Sequence, residues 1–301
     1  MTGGLAVPPP HPRRLVFAGT PETAVPSLRA LADAGYDIAV VVTGPDARRG
    51  RREAPSPSPV KVAALELGLP VGHDIADGPA TGADLGVVVA YGRLIRRPVL
   101  ERLAFVNVHF SLLPRWRGAA PVERAILAGD ERTGVCVMGL EETLDTGPVY
   151  ACRERAIQPR ATAGQLAAAL AEDGADLLVA TLAAGLTDPV PQAGEPTWAD
   201  KLTSDDRRLD WTRPAVELAR VVRVGGAWTT LRARRLIVVD AELEAGDGSE
   251  SPLPPGAVDG VRVGTGDGHL RLGVVRPEGR AAVAAADWAN GARLTPGERL
   301  A

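Results

Sequence analysis

The stretch Phe105-Val-Asn107-Val-His109-Phe-Ser111-Leu-Leu-Pro114-Arg-Trp-Arg117-Gly-Ala-Ala-Pro121 decides how the fold is read. Phe105, Val106 and Val108 read as a buried strand. Strand alternation then puts Asn107 and His109 on one side of it. Pro114 ends the strand region, and a helix can start near Ala119. Two polar side chains therefore project together at the C-terminal end of a strand. In open α/β sheets that is where ligands bind.

Working outward, apolar runs and punctuating residues alternate. Leu15 to Ala18 is a short strand. In the following Gly19-Thr20-Pro21-Glu22 turn, Thr20 is the expected N-cap and Pro21 the first helical residue. Ala24 to Ala34 is helical and Gly35 closes it. Ile38 to Val42 is a β-branched strand, Gly44 to Ser58 an Arg- and Pro-rich loop, Val60 to Leu67 a helix, and Leu85 to Ala90 a buried strand. This alternation predicts an α/β domain with a mostly parallel, doubly wound sheet. Beyond Asn107 the pattern predicts a helix over 122–128, strands over 135–140 and 148–157, and a helix over 163–184. The hairpin-like pair around Asp145-Thr146-Gly147 makes the sheet mixed.

The pattern changes after Gly185. Residues 186–201 hold three prolines and few apolar runs, the composition of a linker. From Trp211 a helix over 215–223 precedes short strands at 236–240, 256–263 and 269–275. That spacing predicts a small β-barrel. The expected division is a disordered tail over 1–12, a catalytic domain over 13–185, a linker over 186–204 and a barrel over 205–301.

The chain has 301 residues, is 45% hydrophobic and carries a formal charge of −3, enough for two cores. No apolar run is long and uncharged enough for a bilayer span, and residues 1–12 lack the apolar stretch of a signal peptide. Cys136 and Cys152 are the only cysteines. They are too few for a disulfide framework or a four-cysteine zinc site, and no His, Cys and carboxylate spacing suggests a metal. A cytoplasmic protein without membrane or metal is expected. Gly19-Thr20-Pro21 lacks a phosphate-loop or dinucleotide fingerprint, which argues against ATP and NAD.

Of four histidines, only His109 lies at a strand end beside other polar groups. It is the natural group for proton transfer at neutral pH. A buried histidine satisfied by backbone fits equally well. Asn107 on the same face offers N–H donors to a carbonyl oxygen gaining negative charge. Asp145 precedes Thr146-Gly147, and an ordinary turn is the simpler reading. The functional reading is a carboxylate that orients His109 or a water. Ser111 has no Gly-x-Ser-x-Gly elbow around it and reads as a backbone cap rather than a nucleophile. Arg48-Arg49-Gly50-Arg51-Arg52 is a dense basic loop, either a solvated cluster or an arm for phosphate. Further arginines gather between Arg207 and Arg235, so a polyanionic partner is expected.

These motifs resemble those of methionyl-tRNA formyltransferases. The segments that carry the likeness are Phe17-Ala-Gly-Thr-Pro21, Pro57-Ser-Pro-Val-Lys61, Val88-Val-Ala-Tyr-Gly92, Asn107 to Pro121, Leu144-Asp-Thr-Gly147, Lys201 to Trp211 and Gly226-Ala-Trp-Thr-Thr230. Asn-x-His with a distant Asp marks the wider group of 10-formyltetrahydrofolate-using transferases. The resemblance implies a Rossmann-like domain followed by an OB-like barrel. It implies formyl transfer from 10-formyltetrahydrofolate, as cosubstrate, to the amino group of methionine on initiator tRNA. Carried over by motif, Asn107, His109 and Asp145 form a catalytic trio. By the same resemblance Ser111, Leu112, Leu113 and Pro114 border the folate. Val88, Val89, Ala90, Tyr91, Gly92 and Glu142 line its pterin pocket. Arg48, Arg49, Arg51 and Arg52 meet the tRNA acceptor stem. A monomer is expected. A sugar-nucleotide N-formyltransferase with the same trio is the alternative. The chain departs from the family in a shortened turn, Val224-Gly225, and in arginines where lysines are common.

Overall fold

The computed structural model describes residues 4–48, 54–244, 253–295 and 297–301. These divide into two compact units. One comprises residues 4–122, 132–156 and 165–200, and the other 123–131, 157–164 and 201–301, within the described ranges.

The first unit holds β1 (Arg14–Gly19), β2 (Asp37–Val42), β3 (Val71–Gly72), β4 (Leu85–Val89), β5 (Phe105–His109), β6 (Arg117–Gly118), β7 (Arg132–Gly139), β8 (Val149–Ala156) and β9 (Trp198–Ala199). Seven of these form one sheet in the order β3-β2-β1-β4-β5-β7-β8. The strands from β3 to β5 run parallel, and β7 and β8 are antiparallel additions. The chain moves outward from β1 to β3, then returns to β4 on the other side of β1. That reversal places the carboxyl ends of β1 and β4 side by side, with Gly19 opposite Val89, and opens a crevice there.

Both faces of this sheet are covered, which explains the near-continuous apolar strands. Leu15 and Phe17 pack to one side with Leu28, Leu31, Val106, Val108 and Leu178. Val16 and Ala18 pack to the other with Val88, Tyr91, Leu100 and Phe105. The helices up to residue 184 are α1 (Val25–Asp33), α2 (Pro59–Glu66), α3 (Arg97–Leu100), α4 (Pro121–Ala128) and α5 (Ala163–Ala184). In α1, Val25, Leu28 and Leu31 recur at helical spacing and are buried. α2 begins where Ser58 accepts from the Lys61 N–H at 3.0 Å, with Pro59 in its first turn.

Three sequence expectations are revised. Thr20 is not an N-cap: a short 3₁₀ turn, Glu22–Ala24, intervenes and α1 starts at Val25. The expected tail is tied down where it is described. The Ala6 N–H reaches Leu100 O at 2.9 Å, and Pro10 O accepts from the Leu186 N–H at 2.8 Å. The register also sets Cys136 opposite Cys152 on the antiparallel pair β7–β8, and the two form a disulfide. A single pair needs only this facing geometry, not a framework.

In the second unit, β10 (Trp228–Leu231), β11 (Arg234–Leu243), β12 (Val258–Asp259), β13 (Arg262–Gly264), β14 (His269–Pro277) and β15 (Val283–Ala284) pair antiparallel into a curled, half-barrel sheet. The strand expected over 256–263 is a hairpin of β12 and β13 that turns at Gly260, whose φ is +58°. The helices α6 (Ala215–Val224) and α7 (Ala285–Ala292) complete it. Leu218, Val221 and Val222 of α6 join Trp211, Leu236, Val238, Leu270 and Val275 in its core. The Trp211 indole N–H donates to Thr229 Oγ1 at 3.0 Å, so the buried ring keeps its polar atom paired. The α/β fold class read from the sequence, a mostly parallel sheet followed by an antiparallel β module, is the one observed. Among the described residues no helix is long and apolar enough to cross a membrane.

Candidate active site

β5 delivers His109 at its last position, 5% exposed. Its Nε2 lies 2.9 Å from the Trp116 carbonyl oxygen. A carbonyl only accepts, so Nε2 carries a proton and Nδ1 is the nitrogen left to exchange one. Nδ1 faces Asp145 Oδ2 at 3.6 Å. Asp145, also 5% exposed, accepts from the Gly118 N–H through the same oxygen at 2.9 Å. A carboxylate this buried needs such partners.

The backbone around the pair has local causes. Asp145 adopts a left-handed conformation, φ +54°, which short polar residues tolerate. Two residues on, a Cβ at Gly147 would strike the Gly139 carbonyl, so only glycine closes this hairpin. A Cβ at Gly118 would lie 2.7 Å from Ala199 O, where β6 pairs with β9. That glycine lets the backbone donate to Asp145. Trp116, at φ +62°, is held by its N–H on Thr197 Oγ1 at 2.8 Å.

Asn107 is half-buried in the middle of β5, in register with Val88 and Met138. Its side-chain amide makes no hydrogen bond among the described residues, unlike His109 and Asp145. A half-buried amide with free donors beside a His–Asp pair can receive a developing oxyanion.

Of the residues expected around a folate, Val88 and Val89 are buried in β4. Ala90 turns the chain at φ +47°, Tyr91 is 5% exposed, and Gly92 stands at φ +77° with no heavy atom within 4 Å of a Cβ position. Burial pushes the Tyr91 phenol up, against the opposing pull of Arg93. Ser111 is fully buried and donates to Arg115 O at 2.6 Å, which is a backbone cap. Leu112, Leu113 and Pro114 follow it, half-buried. Glu142 pairs with Arg97 at 2.7 Å. Leu94 and Leu144 are 66% and 51% exposed and offer apolar surface in the same two loops. Periodicity does not single them out, because an exposed leucine in a loop has no pattern.

Arg48 is exposed, and Arg49, Arg51 and Arg52 lie outside the described residues. The base of their loop is closed by two backbone bonds between Ala47 and Ser56, at 3.1 and 3.2 Å. Asp46 pairs with Lys61 at 2.7 Å beside it. The second arginine set makes several kinds of contact. Arg213 and Arg232 are engaged by Glu217 and Glu298, and Arg223 by carbonyl oxygens of Gln158 and Ala161. Arg232, Arg234 and Arg235 also line a groove of about 400 Å³, together with Arg280 and Trp288. Of Val224-Gly225, read from the sequence as a shortened turn, Val224 ends α6, and Gly225 and Gly226 follow at positive φ, with Arg207 donating to Gly225 O. Among the described residues no group of three or more His, Cys, Asp or Glu is placed to hold a metal.

Residues 13–182 match the formyl transferase family and residues 201–293 the formyl transferase C-terminal domain. The chain belongs to the formyl transferases. Within them it groups with the methionyl-tRNA formyltransferases. It is 45% identical to that of Acidothermus cellulolyticus, over 95% of this chain and 99% of the relative. It is 46% identical to that of Thermobifida fusca, over 95% and 99%. Among solved structures it resembles an N-formyltransferase from Helicobacter canadensis, in complex with folinic acid and dTDP-3-aminofucose. The TM-score is 0.67, with 13% identity over 86% of this chain and 98% of that one. HypX from Aquifex aeolicus superimposes at TM-score 0.65 with 19% identity, over 93% of this chain and 47% of the longer protein. These distant likenesses speak to the fold.

Proposed function

We propose that the protein transfers a formyl group from 10-formyltetrahydrofolate to the α-amino group of methionine on initiator tRNA. The observation that carries this reading is the free Asn107 amide beside the buried His109–Asp145 pair. The amine adds to the formyl carbon, and a tetrahedral intermediate with an oxyanion forms. Asn107 donates to that oxygen, and His109 joins it through Nδ1–H once the ring has taken up the amine proton. The amine loses a proton, which reaches N10 of the folate through His109 or a water held by Asp145 as the carbon–nitrogen bond breaks. No covalent enzyme intermediate is needed.

The folate supplies the one-carbon unit. The Val88–Gly92 segment at the end of β4, with its open space at Gly92, and the exposed Leu94 and Leu144 suit a flat, partly apolar ring. Ser111 to Pro114 and Glu142 border it. Arg48, Arg49, Arg51 and Arg52 grip acceptor-stem phosphates. We assign a cytoplasmic monomer and no metal. The relatives at 45–46% identity are named for the tRNA substrate, which favours it over an amino sugar. Formyl transfer measured side by side on initiator methionyl-tRNA and on dTDP-amino sugars tests the assignment. Turnover on the tRNA alone is expected. Turnover confined to the sugars refutes it.

A further inference from the structure

The stretch after α5, whose prolines suggest a linker, lies against both sides of the His109–Asp145 pair. Val190 and Val149 exchange two backbone hydrogen bonds, both 2.8 Å. The Arg117 N–H and the Ala120 N–H reach Thr197 O and Ala199 O at 2.9 and 3.0 Å. Between these anchors sits Gln192, half-buried. Its Nε2 donates to Asp145 O at 2.9 Å and to Gly147 O at 2.8 Å. Its Oε1 accepts from Arg117 Nε at 3.0 Å and from Arg117 Nη2 at 2.7 Å. A primary amide has two donor hydrogens and two acceptor lone pairs, and here all four are used.

The bonds close a ring of constraints around Asp145. Gln192 holds the carbonyls on either side of Thr146, in a loop whose Asp145 sits at φ +54°. It also holds Arg117, whose neighbour Gly118 supplies the N–H on the Asp145 carboxylate. That carboxylate faces His109 Nδ1 at 3.6 Å. From the same segment, Thr197 fixes Trp116, whose carbonyl takes the other ring nitrogen of His109.

We propose that Gln192 is a positioning residue for the transfer reaction, setting the Asp145 carboxylate against His109 through the backbone of residues 145–147. The inference rests on the assignment of Asn107, His109 and Asp145 as the reacting trio. Small displacements of a positioned group lower rate much more than affinity: about 1 Å can cost on the order of 10²-fold.

Two substitutions separate positioning from mere folding. Gln192→Met keeps the length and removes every hydrogen bond. Gln192→Glu keeps, and charges, the acceptor for Arg117, but sets an oxygen against two carbonyl oxygens. Both variants are expected to lose about 10–10²-fold in kcat, with KM for the folate and for methionyl-tRNA within about twofold. In an Asp145→Asn background, Gln192→Glu is expected to add less than about twofold, because both changes act on one group. Gln192→Glu decides the matter if Gln192→Met does not fold. Wild-type kcat in Gln192→Glu overturns the proposal. So does a loss carried wholly by KM, or an undiminished loss in the Asp145→Asn background. Asp145→Asn with wild-type kcat overturns the trio and this inference with it. An inactive Asp145→Asn beside a fully active Gln192→Glu overturns this inference alone.

Discussion

Replacing Asp145 by Asn isolates one charge. Asn tolerates the left-handed backbone at φ +54° as Asp does, and its side-chain oxygen can keep the Gly118 N–H bond of 2.9 Å. What disappears is the negative charge 3.6 Å from His109 Nδ1. On the proposed mechanism, that charge stabilises the ring when it takes up the amine proton. Coulomb's law at an effective dielectric of about 20 gives roughly 4–5 kcal/mol at this separation, or about 10³-fold in rate. The expected variant therefore folds, melts within about 3 °C of the wild type, and has kcat lowered by about 10³-fold. Asp145→Ala should lose the rate and also stability, by about 1–3 kcal/mol, because Ala is strained at this φ. Single-turnover formyl transfer gives the rate, and thermal denaturation gives the stability. An Asp145→Asn enzyme with kcat within tenfold of wild type refutes the electrostatic role and returns Asp145 to the status of a turn residue.

Asp206 is held at about 2 by the Thr203 N–H first, then by Arg124 at 2.8 Å and the Thr203 hydroxyl. Its pKa is depressed in the fold, so its contribution is present above about pH 4 and is lost as pH falls towards 2. The part-exposed carboxylate contributes at most about 2 kcal/mol. Asp206→Asn should remove that slope from denaturant stability measured between pH 5 and pH 2, and an unchanged slope contradicts the assignment. Arg49→Ala with Arg51→Ala should weaken tRNA binding and flatten its log–log salt dependence by about 0.7–0.9 for each phosphate no longer neutralised, with folate affinity unchanged. Parallel salt plots of equal affinity would make the loop a solvated surface.

Much of this site is legible in the sequence because its two central residues share one strand. Period-two alternation puts Asn107 and His109 together, and β5 does so. The α/β alternation likewise anticipates β1, β2, β4 and the mixed edge at β7–β8. Asp145 is legible only through its motif, since Asp-Thr-Gly alone is an ordinary turn. The clamp around it is not legible. Gln192 meets Asp145 and Arg117 across long separations, in a segment whose prolines read as a linker. Its pairing uses a two-residue strand, β9, and one isolated bridge at Val190, too short to carry a period. Thr20-Pro21 has the composition of a cap, yet Pro21 begins a short 3₁₀ turn in which no side chain caps. In the second unit, α7 and β10 carry no signal comparable to the apolar runs of β11 and β14.

The central claim is that the free Asn107 amide stabilises the oxyanion next to the His109–Asp145 pair. Single-turnover formyl transfer with Asn107→Ala, folate and methionyl-tRNA both saturating, tests it most directly. Loss of one such donor predicts a rate lower by about 10²–10³-fold, with folate affinity little changed. A rate near that of the wild type would contradict it.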